Sequence, residues 1–229
     1  MKNLIIIPAY NEEGSIENTI EDIKNHAPGF DYVIVNDCST DRTLEICKKN
    51  HFNYLNLPVN LGIGGAVQTG YRYAYYNGYD TAVQFDGDGQ HDASYLDEML
   101  DRLNKEEADM IIGSRFIKKE GFQSNALRRV GIRFFTGLIK ALSGKRITDP
   151  TSGFRMVNRK LMKFFANDYP DDYPEPESVM TLLTKGYNVV EFPVQMRERK
   201  EGKSSISFKN SFYYMIKVSF AILIARVKG

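Results

Sequence analysis

The sequence predicts an α/β fold in which a mostly parallel central sheet is flanked by helices. Three observations carry the prediction. Short apolar runs recur through the first half, at Leu4–Ile7, Tyr32–Val35, Thr81–Phe85 and Met110–Ile112; continuous runs of this kind read as strands buried on both faces. Amphipathic stretches of helical spacing separate them, the alternation that builds right-handed crossovers. Polar clusters follow directly after four of the strands, at the edge where open α/β sheets keep their ligands.

Each element follows from local pattern. Leu4–Ile7 is the first strand, ended by Pro8, and residues 13–26 form a helix with Ile16, Ile20 and Ile23 on one face. Tyr32–Val35 is the second strand, after which Thr40 or Asp41 caps a helix running to Lys49. A short third strand at Tyr54–Leu57 precedes a helix over 63–77, and Thr81–Phe85 is the fourth strand. Ser94 caps a helix to Leu103, and Met110–Ile112 is the fifth strand. After Gly113 the rhythm changes. Residues 125–143 read as an amphipathic helix carrying Leu127, Val130, Phe134, Leu138 and Leu142, followed by a polar loop and a helix near 158–166. Tyr169–Glu177, with its three prolines, reads as loop. Val189–Val194 reads as an edge strand and Ser207–Val227 as a strongly apolar helix. No internal repeat or low-complexity linker interrupts the chain, so 1–229 is expected as one domain.

Composition narrows the function classes. The chain is 42% hydrophobic and 26% charged, with a mean hydropathy of -0.38, which excludes disordered and collagen-like classes. Two cysteines, Cys38 and Cys47, point to a reduced, cytosolic protein without a disulfide framework. The opening MKNLIIIPAYNEE turns polar after a short apolar run and does not read as a signal peptide. No stretch approaches the roughly 18 apolar residues of a membrane span. The net charge of +1 hides a split: residues 1–114 hold 8 Lys/Arg against 19 Asp/Glu, and residues 115–229 hold 22 against 10. A basic half of this kind suits phosphates or an anionic lipid surface.

The four strand-end clusters are Pro8-Ala9-Tyr10-Asn11-Glu12-Glu13, Asn36-Asp37-Cys38-Ser39-Thr40-Asp41, Asp86-Gly87-Asp88-Gly89-Gln90-His91 and Gly113-Ser114-Arg115-Phe116. Asp86-Gly87-Asp88 on its own is an ordinary turn sequence. Beside three other polar strand ends it reads as a site, with one carboxylate for a divalent cation, another for a ribose or water, and Gln90 as a neutral oxygen ligand. Hard oxygen donors suit Mg²⁺ or Mn²⁺ bridging a substrate diphosphate. An EF-hand is disfavoured, because glycines fall at its second and fourth places and no Glu closes it. The first strand is not followed by GxGxxG, and no GxxxxGK[ST] occurs. Gly62-Ile63-Gly64-Gly65 reads as tight turning and helix packing.

In this order, PAYNEE, NDCSTD, FDGDGQH, GSRF and DPTSGFR at 149–155, the sequence resembles family 2 glycosyltransferases of the GT-A fold, and within them the dolichyl- or polyprenyl-phosphate sugar synthases. The resemblance runs from Leu4 to about Arg155, with a weaker tail to Ser205. It implies a Rossmann-like GT-A sheet with 1–114 as the nucleotide-sugar half and 115–206 as the acceptor half, while the basic and apolar pattern of 207–229 reads as a membrane-associating helix. It implies that Pro8, Tyr10, Glu12, Asp37 and Asp86 meet the nucleotide, and that Asp88 and Gln90, with Asp86, hold the metal. Arg115 would meet the acceptor phosphate or the sugar diphosphate, Arg128 or Arg129 the acceptor phosphate, and Lys203, beyond Arg199, the diphosphate. Asn36 stands where the family pattern has an acid, and Cys38 where it has glycine, which leaves the base open.

Charge then argues the acceptor. Displacement at the anomeric carbon puts negative charge on the leaving diphosphate, which a cation and Arg/Lys groups stabilise. A hydroxyl acceptor needs a carboxylate base, whereas a phosphate is already anionic and needs cations to position it. From Arg115 to Arg146 there are nine Lys/Arg and one acid, Glu120, which favours a polyprenyl phosphate. A nucleic-acid groove is the rival explanation, and the acids at the strand ends would repel a polyanion. Glu177, in Tyr173-Pro174-Glu175-Pro176-Glu177, is the candidate base if the acceptor is instead the hydroxyl of a lipid-linked or cell-wall glycan. The last helix has Val218–Ala225 between Lys217 and Arg226, too short to span but suited to lying in a membrane interface. The expectation is therefore a metal-dependent inverting hexosyltransferase, UDP-hexose favoured, peripheral on the cytoplasmic face of the membrane and partnered by a small membrane protein; a non-catalytic nucleotide-binding module is the reading from another class.

Overall fold

The computed structural model describes residues 1–118, 120–122, 126–198 and 208–228. Seven strands form one sheet in the order β3-β2-β1-β4-β6-β5-β7: β1 Asn3–Ala9, β2 Asp31–Asn36, β3 Tyr54–Asn56, β4 Thr81–Gln84, β5 Met110–Ser114, β6 Arg155–Asn158 and β7 Val189–Pro193. The helices are α1 Ile16–His26, α2 Thr43–Lys49, α3 Gly62–Tyr76, α4 Leu96–Lys105, α5 Ala126–Ser143, α6 Arg159–Asn167, α7 Pro174–Thr184 and α8 Phe208–Lys228. All strands run parallel except β6, which pairs antiparallel with both β4 and β5.

The continuous apolar strands are buried on both faces, as the sequence predicts. Leu4 and Ile6 of β1 face one core with α3, α5, α6, α7 and α8; Ile5 and Ile7 face the other with α1, α2 and α4. Each such isoleucine or leucine, fully withdrawn from water, contributes about 1.5–3 kcal/mol. The α1 face is the predicted one, with Ile16, Ile20 and Ile23 buried.

Four elements differ from the sequence expectation. β6 is a strand that the sequence reading leaves as loop; it starts opposite the end of β4, with Arg155 paired to Gln84. The DPTSGF segment before it is thereby delivered to the same sheet edge as Asp86. Residues 174–177 are the first turn of α7 rather than loop, because Pro174 and Pro176 fall where a helix has no amide to bond. Asp92, not Ser94, makes the cap ahead of α4: its carboxylate accepts from the Ser94 amide at 3.0 Å, opening the short 3-10 turn Ala93–Tyr95. In α5 the buried face is Ile132, Phe135 and Ile139, whereas Val130 and Phe134 of the predicted apolar stripe are exposed; the Leu127 side chain lies outside the described residues. α5 is thus apolar on more than one face.

α8 packs on α7 and, less extensively, on α5. Val218, Ile222 and Ala225 are its buried stripe, while Tyr213, Ile216, Phe220, Leu223, Ile224 and Val227 face outward. No helix among the described residues is long and apolar enough to cross a membrane.

Candidate active site

The loops leaving β1 and β2 are laced together. Asn11, in the left-handed region at φ 57°, accepts at Oδ1 from the Thr40 amide at 2.8 Å, and its own amide donates to Ser39 Oγ. The amides of Glu12 and Glu13 donate to Thr43 Oγ1 and Asp41 Oδ2. Two clusters that the sequence separates by more than twenty residues are one surface. Pro8 is buried beneath it, and Tyr10, 49% exposed, presents its ring at the edge. The Glu12 carboxylate accepts from Ser15 Oγ. Asp37 is buried and accepts at Oδ1 from the Leu61 amide at 2.7 Å, so it anchors the chain entering α3. Asn36, also buried, donates from Nδ2 to Asn56, and its Oδ1 has no partner among the described residues. Cys38 takes the left-handed turn, φ 58°, that glycine would adopt without cost. Gly64 is required by packing: a Cβ there would lie 2.2 Å from the carbonyl oxygens of Pro170 and Asp171.

The turn after β4 carries the acids. Asp86 accepts from Gln84 Nε2 at 3.2 Å, and its amide donates to His91 Nδ1 at 3.0 Å. His91 is buried, stacked on Phe154 with centroids 4.8 Å apart and edge-on to Phe85. Because Nδ1 accepts, the ring proton belongs on Nε2, which lies 3.6 Å from Asp86 Oδ2. His91 is therefore a support for the turn. Asp88 Oδ1 accepts from the Gln90 amide at 3.0 Å. Gly153 closes the other side: a Cβ there would stand 3.0 Å from Asp86 Oδ2 and 2.8 Å from Gln84 Nε2. No group of three His, Cys, Asp or Glu able to hold a metal converges among the described residues. Two carboxylates with an amide oxygen nearby fit a cation of the Mg²⁺ type, which keeps waters and substrate phosphates as its other ligands.

Across the edge stand the arginines. Arg115 and Asp149 are 6% and 0% exposed, and the guanidinium grips both carboxylate oxygens at 2.7 Å through Nε and Nη2. Asp149 is itself placed by Glu191 of β7, which accepts from the amides of Thr148 and Asp149 at 2.8 Å. Arg115, predicted to meet phosphate, thus directs most of its fork inward; Nη1 makes none of these bonds. Arg155 is fully buried and donates to the carbonyls of Ser152 and Pro150 and to Ser178 Oγ. Arg128, on the first turns of α5, lies near Arg115, and partial desolvation together with that like charge holds its guanidinium below the usual value. Arg129 follows, half-buried.

The two α7 acids divide. Glu177 lines a cavity of about 310 Å³ with Tyr173, Asp172 and Lys217, and its carboxyl is raised by burial, with Lys228, Asp168 and Asp171 as charges acting on it. Glu175 is raised by burial too, but its charged neighbours are Arg155, Asp86 and Arg128. Glu175 therefore faces the strand-end site and Glu177 the α8 side. Sequence reasoning named Glu177 and passed over Glu175 in the same stretch, because nothing local tells which of the two acids faces the sheet edge. Lys203 and Arg199 lie outside the described residues.

A glycosyl transferase family 2 model matches residues 4–165. The chain belongs to glycosyl transferase family 2. Among curated relatives of this family 2 chain, a UDP-N-acetylglucosamine–dolichyl-phosphate N-acetylglucosaminyltransferase of Methanococcus voltae is 31% identical over 83% of this chain and 84% of its own. An undecaprenyl-phosphate mannosyltransferase of Micrococcus luteus is 29% identical over 90% and 88%. Glucosyl-3-phosphoglycerate synthase from Mycobacterium tuberculosis, solved with Mn²⁺, UDP and glucosyl-3-phosphoglycerate, superposes with a TM-score of 0.72 at 16% identity, covering 98% of this chain and 79% of that one. S. aureus TarS in complex with UDP-GlcNAc superposes with a TM-score of 0.65 at 17% identity, covering 98% and 67%. The fold of this glycosyltransferase is GT-A, as the motifs imply.

Proposed function

We propose that this glycosyltransferase moves a sugar, with inversion, from a UDP-sugar to a polyprenyl phosphate at a membrane surface. The observation that carries the reading is the division of the sheet edge: carboxylates at the β4 turn on one side, and Arg115 with Arg128 on the other. That arrangement suits one anion bridged by a cation and a second held by guanidiniums. Relatives named for dolichyl and undecaprenyl phosphate, and fold neighbours solved with UDP, support the choice of substrates.

In this mechanism Tyr10, Pro8, Glu12 and Asp37 line the nucleoside pocket, and Asp86 orients the ribose end. Asp88, Gln90 and Asp86 would hold Mg²⁺ or Mn²⁺, whose positive charge stabilises the departing diphosphate. Lys203 is assigned to the same diphosphate. Arg128, Arg129 and Arg115 orient the acceptor phosphate behind the anomeric carbon. That phosphate is already an anion, so no base is needed. Arg155 and Asp149 hold the backbone and Arg115 still, which limits the reorganisation the reaction requires.

The exposed apolar faces of α5 and α8 support docking on the cytoplasmic face of a membrane. Phe134, Met215, Ile216, Phe220 and Leu223 line an apolar groove of about 250 Å³, and Lys217, Arg226 and Lys228 flank it in sequence. A small membrane protein is the proposed anchor. Glu175 gives a second reading a specific footing: with a glycan hydroxyl as acceptor, it, rather than Glu177, is the acid beside the reacting groups.

The test is a panel of UDP-glucose, UDP-N-acetylglucosamine and GDP-mannose against undecaprenyl phosphate, with mass detection of lipid product. We expect a lipid-phosphate sugar that disappears with EDTA and with Asp88→Ala. Glu175→Gln and Glu177→Gln should each keep activity within about threefold, because a general base contributes about 10²–10⁴-fold where one is used. Loss of that size in Glu175→Gln, with transfer to a soluble glycan, overturns the phosphate reading.

A further inference from the structure

After β7 the chain turns back along the β4 turn. The Arg197 amide donates to the Gln90 carbonyl at 2.9 Å, and Gln90 Nε2 returns to the Arg197 carbonyl at 3.4 Å. The Arg197 side chain then reaches sideways. Its Nη2 lies 3.0 Å from Asp22 Oδ1 on α1 and 3.0 Å from Asp92 Oδ2. Both acids already hold the far end of the turn: Asp22 Oδ2 accepts from the Ala93 amide at 3.0 Å, and Asp92 Oδ1 from the Ser94 amide. At the near end, Thr19 Oγ1 of α1 donates to the Gly87 carbonyl at 3.2 Å. The segment 87–93 is thus fixed from α1 at both ends and from Arg197 in the middle, at the residue carrying the neutral oxygen ligand.

As a stability device this cluster would do little. Arg197 is 42% exposed, and exposed ion pairs contribute about 0–1 kcal/mol. Its position has a different consequence. Gln90 and Asp88 lie on a turn containing Gly87 and Gly89, the latter at φ 75°, where glycine adds conformational freedom and the internal restraints are the Asp88–Gln90 amide bond and the His91 support. External restraint adds to these in holding the geometry that a cation with strict octahedral demands selects.

We infer that Arg197 is a positioning residue for the cation-binding turn, holding Gln90 and Asp88 in ligating geometry by joining Asp22 and Asp92 to the chain that leaves β7. The inference rests on the cation reading of the proposed function. Outer groups that orient metal ligands alter affinity by about 10–100-fold.

The experiment is Mn²⁺ titration, followed by electron paramagnetic resonance in the presence of UDP, on the native chain, Arg197→Ala, Arg197→Lys and Asp22→Asn, with thermal unfolding of each. Arg197→Ala should weaken Mn²⁺ binding about tenfold while its unfolding midpoint stays within about 2 °C of native, as expected for an exposed pair. Arg197→Lys should recover at least half of the loss on a logarithmic scale. Asp22→Asn, which keeps side-chain shape, should weaken Mn²⁺ in the same direction and provides the reading if Arg197→Ala folds poorly. Unchanged Mn²⁺ affinity in a folded variant, or a lowered midpoint with unchanged affinity, overturns the inference and leaves the cation reading standing. Failure of the native chain itself to bind Mn²⁺ with UDP overturns both.

Discussion

Asp149→Ala tests whether the arginine side of the edge is built as described. Asp149 is 0% exposed and Arg115 6%. The pair shares two bonds of 2.7 Å, and the Arg115 amide adds a third to the same carboxylate at 3.2 Å. Truncating the acid leaves the guanidinium buried, with Thr151 Oγ1 at 3.2 Å as its remaining acceptor among these contacts. Breaking a buried pair from one side costs about 3–5 kcal/mol, a large part of a typical stability of about 5–15 kcal/mol. Asp149→Asn keeps one acceptor oxygen and should cost about half as much. Arg115→Met removes the stranded charge, so Asp149→Ala/Arg115→Met should be more stable than Asp149→Ala alone. Urea unfolding midpoints at matched slopes measure the four variants, Arg115→Met included, against the native chain. An Asp149→Ala midpoint equivalent to less than about 1 kcal/mol, or a double variant weaker than the sum of the singles, would refute the reasoning.

Three further outcomes are expected. Gly153→Ala should lower UDP affinity at least tenfold by isothermal titration, since its Cβ would stand 3.0 Å from Asp86 Oδ2; Gly137→Ala on α5, with nothing within 4 Å of the added Cβ, should bind normally and gain about 0.5–1 kcal/mol. Glu175 binds its proton more tightly folded than unfolded, because burial raises its carboxyl. Its contribution to stability is then present at low pH and lost as pH rises from the usual carboxylate value through the raised folded one; unfolding free energy measured across that window should fall less steeply in Glu175→Gln, and an identical profile would count against the burial argument. Phe220, 62% exposed on α8, should matter to membranes and not to the fold: Phe220→Asp should abolish flotation with anionic liposomes while leaving the thermal midpoint within about 2 °C.

What the sequence made legible were the features set by local pattern: the strand runs, the helical stripes and the polar clusters behind each strand. Motif order located the turn after β4 and the DPTSGFR segment. Three kinds of feature escaped. β6 is four residues, RMVN, too short and too polar to stand out; it exists because β4 and β5 leave a slot that an antiparallel strand fills. Glu175 escaped because it and the named Glu177 share one segment, and only its helical geometry, which sends residues two apart to different faces, separates them. The pairing of Arg115 with Asp149, and of Arg197 with Asp22, joins residues 34 and 175 apart, separations about which no periodicity speaks.

Those pairings change what the charge split means. The basic second half invites the reading that its cations all await an anionic partner. Two of them do not. Arg155 is fully buried on backbone carbonyls and Ser178, and Arg115 is held by Asp149. Arg197, in the same basic half, is tied to two acids of the acidic half. Lys217 of α8 is likewise held, by Asp172, while α5 and α8 leave Val130, Phe134, Ile216 and Phe220 exposed beside their basic residues. That juxtaposition of basic and exposed apolar side chains is what the proposed lipid-phosphate acceptor would need, since a phosphate carried on a hydrocarbon chain presents both kinds of surface.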